Sequence, residues 1–201
     1  MPANDELQQE FEAEAIASMV REGTTLIEVG CWEGELLELL ITKKNCRGYG
    51  IEENHEGIYK CVEKGLSVMH DALETGLKDY PDKAFDYVVL DKSFARVIVP
   101  DNLIRESLRV GKQVIVSFSN FGHWHVRTQV LFGGKTPITE SLPYQWYNTP
   151  NIHFVSVLDF LDYCEKNKLK VEKKVFVSGP KQVTLLPNLF AQSAIFLISL
   201  P

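Results

Sequence analysis

The chain has 201 residues, 45% of them hydrophobic, and a formal net charge of -6. This length suits one domain with a full core, and the interspersed charges leave no basic stripe that would bind nucleic acid. The first 20 residues are acidic and polar, and no apolar run is long enough to cross a bilayer. We therefore expect a single cytoplasmic domain over residues 1–201, without nucleic-acid or membrane partners.

Apolar runs rich in β-branched residues alternate with helical patterns, which indicates a parallel sheet covered by helices. An N-terminal helical segment is expected over residues 1–22. Further helices are predicted at about 34–44, 54–64, 101–109, 125–132 and 156–167. Strands are predicted at 24–30, 46–52, 66–70, 85–91, 112–120, 169–179 and 191–201. The last two strands are close enough in sequence to form an antiparallel pair, which we place at the sheet edge.

Residues 119–155 form a long connection rich in aromatic residues and glycine. Connections of this length are uncommon unless they are functional, so we interpret the segment as a docking surface or as a cap over a cleft. A loop held by aromatic packing on its own sheet is the alternative. Tyr, Trp and Arg side chains are enriched at binding hot spots. The candidates for a partner or acceptor surface are Trp124, Arg127, Tyr144, Trp146 and Tyr147.

The stretch "LIEVGCWEG" places Glu28, Gly30 and Gly34 where the first strand turns into a helix. Free backbone amides at such a junction favour anionic or electron-rich ligand atoms, and glycine lets the ligand approach closely. Glu52 and Asp71 follow the second and third strands, so all three strand ends open into one crevice. Because neither G-x-G-x-x-G spacing nor a P-loop lysine is present, S-adenosylmethionine fits better than NAD or ATP.

The E-x-G-x-x-x-G turn and the order of elements resemble the class I S-adenosylmethionine-dependent methyltransferases. More specifically, the chain resembles the MetW family of methionine biosynthesis proteins from about Thr25 to Leu200. The match rests on "GELLELL", "RGYGIE", "FDYVVL", "LRVGKQVIVSFSNFGHWHVR", "LPYQWYNTPNIHF" and "NLFAQSAIFL". The resemblance implies a three-layer, Rossmann-like α/β fold with a seven-stranded, mainly parallel sheet whose last strand is antiparallel.

The resemblance also implies a cofactor, a partner and a set of binding residues. The cofactor would be S-adenosylmethionine or S-adenosylhomocysteine, and the partner would be homoserine O-acyltransferase. Glu28, Gly30 and Gly34, with Cys31 and Trp32 of the same turn, would hold the methionine end of the cofactor. Glu52 would bind the ribose, and Asp71 with Ala72 would meet the adenine edge. A free-standing methyltransferase of a small molecule is the alternative function, because a fold does not establish methyl transfer.

Trp32 stands where the family's usual turn has glycine. The added Cβ and indole could exclude the cofactor if the position requires positive φ. Catechol-type and caffeoyl-type O-methyltransferases, however, resemble this turn with an aromatic residue at the same place, and they bind the same cofactor. We expect that binding is retained, and the alternative is a degenerate pocket in a fold that serves only a partner.

Three side chains near the expected cleft are weak catalytic candidates: Asp91, Asn120 and His123. Asp91 could act as a general base, but we favour a surface ion pair with Lys92 or a neighbour. His123 and His125 lack a third ligand, so we expect no metal site. The four cysteines form no C-x-x-C pair, and we expect reduced thiols.

Overall fold

The computed structural model describes the backbone of residues 2–201 and the side chains from residue 6 onward. Its strands are β1 Thr25–Val29, β2 Arg47–Glu52, β3 Val68–His70, β4 Phe85–Asp91, β5 Gly111–Ser119, β6 Lys170–Ser178, β7 Lys181–Gln182 and β8 Ser193–Ser199. Its helices are α1 Pro2–Met19, α2 Glu35–Lys44, α3 His55–Glu63, α4 Pro100–Val110, α5 Trp124–Gly133, α6 Val157–Lys166 and α7 Pro187–Phe190. A 3₁₀ turn, Phe94–Arg96, follows β4.

The strands form one sheet in the order β3-β2-β1-β4-β5-β8-β6-β7. Strands β1 to β5 are parallel, and β8 runs antiparallel to both of its neighbours, β5 and β6. The expected mainly parallel sheet with an antiparallel last strand is therefore confirmed. The two-residue β7 adds an eighth strand, which is too short to leave a periodic signal in the sequence.

The last two long strands pair as predicted, and the pair lies toward one edge of the sheet, with β8 on its inner side and only the two-residue β7 beyond β6. All seven residues of β8 are buried, because the strand lies between β5 and β6 with helices on both faces. Strand β6 instead exposes Lys170, Lys173 and Lys174. Charged side chains are typical of an edge, where they discourage pairing with other chains. The uninterrupted apolar character of β8 marks it as an interior strand.

Two apolar cores cover the two faces of the sheet. Leu26 of β1 packs with residues of α1 and α2, including Ile16 and Leu37. Ile27, the next residue, packs on the other face with residues of α4 and α6 such as Leu103. Successive residues of a strand point to opposite faces, so a strand buried on both sides needs this continuous apolar run. The result is the three-layer arrangement expected from the sequence.

The sheet order reverses between β1 and β4. The chain builds outward from β1 through β2 and β3, and then returns to add β4 on the other side of β1. Ligands of open α/β sheets bind in the crevice beyond the carboxyl ends of the strands at such a switch point. Gly30 turns the chain there with φ 79°, and a Cβ on it would lie 2.8 Å from the Cβ of Ser93. Glycine is thus required both by the backbone angle and by the close approach of Ser93.

Asn120 anchors both ends of the 119–155 segment. Its amide nitrogen donates to the carbonyls of Asn188 (3.2 Å) and Ala191 (2.8 Å), and its Oδ1 accepts from the amides of Gly122 (3.0 Å) and Val157 (3.2 Å). The side chain is fully buried. The segment therefore leaves and re-enters the domain at one fixed point.

No helix within residues 2–201 combines the length and the apolar character that crossing a bilayer demands.

We expect Asn120→Ala to lower the free energy of unfolding by about 3 kcal/mol, because several buried backbone groups lose their partner at once. Urea denaturation measures this change. Asn102→Ala is the matched control, since Asn102 is exposed on α4, and we expect it to shift stability by no more than about 0.5 kcal/mol. Equal destabilisation by the two substitutions would contradict the anchoring role.

Candidate functional site

A cleft of about 690 Å³ opens at the carboxyl ends of β1 and β4, between the glycine turn and helix α1. The turn contributes Gly30, Cys31 and Trp32, and Tyr144 reaches the cleft from the 119–155 segment. Four of the eight predicted cofactor-binding residues therefore line one cavity: Glu28, Gly30, Cys31 and Trp32. The volume lies in the range of small-molecule sites.

The cleft is strongly acidic. Among the described residues that line it, two cations, Lys92 and Arg96, face seven carboxyl groups, those of Glu6, Glu10, Glu12, Glu28, Glu33, Glu35 and Asp91. Low-dielectric walls focus the field of such groups and raise the local concentration of oppositely charged ligands. The cleft therefore favours a ligand that carries positive charge.

Glu28 is the carboxyl group with the least compensation in this cleft. It is 3% exposed, and its Oε2 has no hydrogen-bond partner among the described residues. Burial, followed by the nearby charges of Asp91 and Glu52, raises the pKa of Glu28 well above its usual range. A buried carboxylate without a partner is costly, so the group holds a proton until a cation or hydrogen-bond donor reaches it.

Trp32 adopts the left-handed conformation that the usual glycine would adopt, with φ 47°. This region costs a bulky residue about 1–3 kcal/mol and persists only where neighbours enforce it. The Trp32 amide donates to Glu52 Oε2 (2.8 Å), and the Trp32 carbonyl accepts from Cys61 Sγ (3.2 Å). Its indole is 44% exposed and lines the cleft. The aromatic ring therefore points out of the turn and into the cleft.

Glu52, the expected ribose ligand, is turned toward the backbone. It is fully buried and accepts hydrogen bonds from the amides of Trp32 (2.8 Å), Glu53 (3.0 Å) and Asn54 (2.9 Å). Glu52 does not line the cleft. Three backbone amides already donate to the Glu52 carboxylate, and the one from Trp32 lies on the turn itself. The ribose role of Glu52 stays a prediction.

The remaining three cofactor positions also lie outside the cleft lining. Gly34 is packed so closely that a Cβ would lie 2.4 Å from Leu66 Cδ1. Asp71 Oδ1 accepts from the amide of Ala72 (2.7 Å), at the end of β3. These positions are on the β2–β3 side of the glycine turn, whereas the cleft opens on the β4 side. Their contacts with an adenosine group stay predictions.

The expected ion pair of Asp91 with Lys92 is wrong. Lys92 Nζ lies 2.6 Å from Glu12 Oε2 on helix α1, and Asp91 Oδ1 instead accepts a hydrogen bond from Ser117 Oγ. Burial raises the pKa of Asp91, although Lys92 and Ser117 oppose that effect. The Lys92–Glu12 pair ties α1 to the end of β4 and so holds the helix over the cleft.

The other two catalytic candidates do not line the cleft. Asn120 is occupied by the backbone contacts that anchor the 119–155 segment. His123 is buried, and burial followed by the charge of His125 lowers its pKa. Among the described residues, no three His, Cys, Asp or Glu side chains are grouped as a metal site would require.

The candidate surface residues differ in their surroundings: Tyr144 and Arg127 contact the cleft or the backbone, whereas the other three are exposed to different degrees. Tyr144 lines the cleft, and Arg127 is held by the Gly122 carbonyl (2.6 Å). Trp124 is partly exposed, whereas Trp146 and Tyr147 are largely exposed.

Glu12 and Arg96 are site residues that the sequence did not reveal. The acidic N-terminal helix was visible in the sequence, but its contact with β4 depends on tertiary packing.

Solved structures of methyltransferases resemble the described structure. A methyltransferase of Thermotoga maritima, described as a possible histamine N-methyltransferase, matches 98% of this chain and 91% of its own with a TM-score of 0.68 and 16% identity. Magnesium protoporphyrin IX methyltransferase of Synechocystis, solved with bound S-adenosylhomocysteine, matches 96% of this chain and 83% of its own with a TM-score of 0.65 and 16% identity. Likeness at this identity shows the class I methyltransferase fold.

One curated protein is similar to this chain in sequence. The bifunctional methionine biosynthesis protein MetXA/MetW of Rhodopirellula baltica is 28% identical over 172 residues, which is 81% of this chain. The chain spans only 28% of the length of that relative. The family model for methionine biosynthesis protein MetW matches residues 10–198. The match covers nearly the whole chain, and this protein therefore belongs to the MetW family.

Proposed function

We propose that this protein binds S-adenosylmethionine in the acidic cleft and acts with homoserine O-acyltransferase in methionine biosynthesis. The observation that carries the cofactor proposal is Glu28 Oε2, which has no hydrogen-bond partner among the described residues and belongs to a residue that lines a carboxyl-rich cleft. S-adenosylmethionine carries a sulfonium and an α-ammonium group, either of which can compensate the buried carboxylate. The fold and the family support the same ligand.

The charge of the cleft favours S-adenosylmethionine over S-adenosylhomocysteine. The two molecules differ by one methyl group and one positive charge, because the demethylated sulfur is neutral. Seven carboxyl groups against two cations attract the sulfonium form more strongly.

Glu28 links ligand binding to stability. The unfolded chain ionises a glutamate near pH 4.5, whereas burial keeps Glu28 protonated to higher pH in the ligand-free protein. Above about pH 4.5 the folded state therefore binds more protons than the unfolded state, and stability falls as pH rises until Glu28 ionises. A cationic ligand stabilises the ionised form of Glu28 and therefore opposes this loss of stability at higher pH.

The partner proposal is supported by the relative in which a MetXA part and a MetW part belong to one protein. The described chain presents exposed apolar side chains on α5 and near α7, which we term the α5–α7 surface: Trp124, Leu131, Phe132, Leu185, Leu186 and Phe190. Arg127 of α5 approaches the Asn188 carbonyl (3.5 Å), which brings the two elements together. Large exposed apolar patches mark interaction sites. Trp146 and Tyr147 are further exposed aromatic candidates.

Free-standing methyl transfer is the second candidate function, and Asp91 is the observation that favours it. Its carboxyl group lines the same cleft at the end of β4 and has a raised pKa. The protein is incubated with S-adenosylmethionine and a fractionated metabolite pool. Release of S-adenosylhomocysteine that is abolished in Asp91→Asn would establish this activity. No release, together with a stable complex with the acyltransferase, favours the partner role.

The first prediction concerns the charge preference of the cleft. We expect S-adenosylmethionine to bind more tightly than S-adenosylhomocysteine, and Glu28→Gln to weaken S-adenosylmethionine by about tenfold or more because a charge-assisted contact is lost. Isothermal titration calorimetry measures both affinities. Glu35→Gln is the control, since it removes the same charge at an exposed position of the same cleft. A larger loss in the control than in Glu28→Gln would refute the role of Glu28.

The second prediction concerns stability without ligand. Glu28→Gln removes the buried ionisable group, so its melting temperature relative to the wild type should rise as the pH increases above about 4.5, the pKa value for an unfolded glutamate. Differential scanning calorimetry across this range measures the trend. A difference that stays constant, while Glu28→Gln remains folded, would show that Glu28 does not titrate abnormally.

The third prediction concerns the partner. Leu131 and Phe132 are 74% and 83% exposed, and replacing both with Glu should weaken the complex with homoserine O-acyltransferase of the same organism by about 100-fold. The matched control replaces Tyr59 and Val62, exposed residues of α3, with Glu. Sedimentation or calorimetry of the purified pair measures the affinity. Weakening by the α3 control alone would place the interface on α3 and overturn the proposal for the α5–α7 surface.

A further inference from the structure

A second cavity, of about 510 Å³, adjoins the acidic cleft. The wall between them is formed by residues that line both, namely Gln9, Trp32, Lys92, Arg96 and Tyr144. The cavity extends beyond this wall toward Ser119 at the end of β5 and toward the 119–155 segment, which contributes Glu140, Asn148 and Asn151. It therefore touches the glycine turn only through Trp32 and lies over the carboxyl ends of β4 and β5.

The charges of this second cavity are few and of both signs. Lys92 is already neutralised by Glu12 at 2.6 Å. Arg96 and Glu140 are the other two charged residues of the lining. After the pairing of Lys92, one cation and one carboxylate remain to meet a ligand.

Arg96 is poorly satisfied for a guanidinium group. Its side chain is 25% exposed, and its ion-pair partner, Glu53, lies 3.8 Å away between Nη2 and Oε1. Guanidinium carries five N–H donors in a planar fork that matches a carboxylate. Among the described residues, no group accepts a hydrogen bond from the Arg96 side chain at a distance shorter than the 3.8 Å contact with Glu53. The fork is thus available for an anionic group in either cavity.

Glu140 has spare acceptor capacity. Its Oε2 accepts from Gln192 Nε2 (3.0 Å), and the residue is exposed on the cavity side of the segment. A carboxylate has about four lone-pair sites, so it can accept from an ammonium group as well. Gln9, Asn148 and Asn151 provide neutral donors and acceptors between the two charges.

We propose that the second cavity binds a small α-amino acid, with its carboxylate on the Arg96 guanidinium and its ammonium group at Glu140. A zwitterion supplies one charge of each sign, which matches Arg96 and Glu140, and its side chain would face the polar amides. The site lies beyond the proposed cofactor cleft, and the amino acid does not need the cofactor in order to bind. It would place an amino acid beside the cofactor, on the opposite side of the Trp32–Tyr144 wall.

The test uses the full chain and two probes, L-methionine and L-homoserine, in isothermal titration calorimetry. At least one probe should bind saturably, and L-methioninamide, which lacks the carboxylate, should bind at least about tenfold more weakly than L-methionine if methionine is the ligand. For homoserine, L-homoserinol is the corresponding control. Absence of saturable binding of either amino acid at millimolar concentration would overturn the proposal.

Variants identify the charged groups. Arg96→Gln should weaken the amino acid by about tenfold or more, Arg96→Lys should weaken it less, and Glu140→Gln should weaken it through the ammonium group. Arg47→Gln, at an exposed position on β2, is the matched control for loss of an arginine charge. Melting curves exclude unfolding of each variant. Unchanged amino-acid affinity in Arg96→Gln would overturn the assignment.

A final experiment distinguishes binding at this site from binding in the cofactor cleft. The methionyl carboxylate of the cofactor is a second possible partner of Arg96, so the amino-acid titration is repeated with saturating S-adenosylhomocysteine. Retained binding supports a separate site. Complete competition, with weakened S-adenosylhomocysteine binding in Arg96→Gln, would assign Arg96 to the cofactor and overturn the proposal. Amino-acid binding without any cofactor binding would contradict only the proposed cofactor function.

Discussion

Burial of the Glu28 carboxyl group at the end of the central strand is the constraint from which the chemistry of the cleft follows. Strand β1 lies between β2 and β4, so its carboxyl end faces the point where the sheet order reverses. Glu28 lines that crevice, and one of its oxygens has no partner within the part of the chain that the structure describes. Burial and the surrounding carboxyl groups raise the pKa of Glu28, and this makes the cleft responsive to a positively charged ligand.

The elements around Glu28 hold the cleft in shape through contacts that are distant in sequence. Lys92 at the end of β4 binds Glu12 of α1, which places an acidic helix over the opening. Asn120 fixes the start and the return of the 119–155 segment. That segment then supplies Tyr144 to the wall between the two cavities. Strain at Trp32 is balanced by its contacts with Glu52 and Cys61.

Sequence patterns predicted the sheet and the side of it that carries the site. Continuous apolar runs marked the buried strands, and the glycine turn marked the end of β1. The terminal pair was also predictable, and the sequence carries a signal for its order within the sheet, because β8 is apolar whereas β6 carries lysines. The predicted positions around Glu28 and Trp32 line a cavity, whereas Asp71 and Ala72 do not.

The parts that could not be predicted depend on tertiary contacts between ionisable groups. A strand-end glutamate is expected to face a ligand, but the amide of Trp32 captures Glu52 because the turn adopts positive φ. A Lys next to an Asp suggests an ion pair, but adjacent side chains at a strand end diverge, and Lys92 reaches Glu12 instead. The spacing of residues along the sequence indicates neither the contact of Trp32 with Glu52 nor that of Lys92 with Glu12.

The most direct test of the central claim is a count of the protons released when S-adenosylmethionine binds. Calorimetric titrations at neutral pH in buffers of different ionisation enthalpy give this number. The account predicts that the wild type releases protons on binding, as Glu28 ionises beside the cationic ligand, and that Glu28→Gln releases clearly fewer. Binding without proton release in the wild type, or equal release in both proteins, would contradict it.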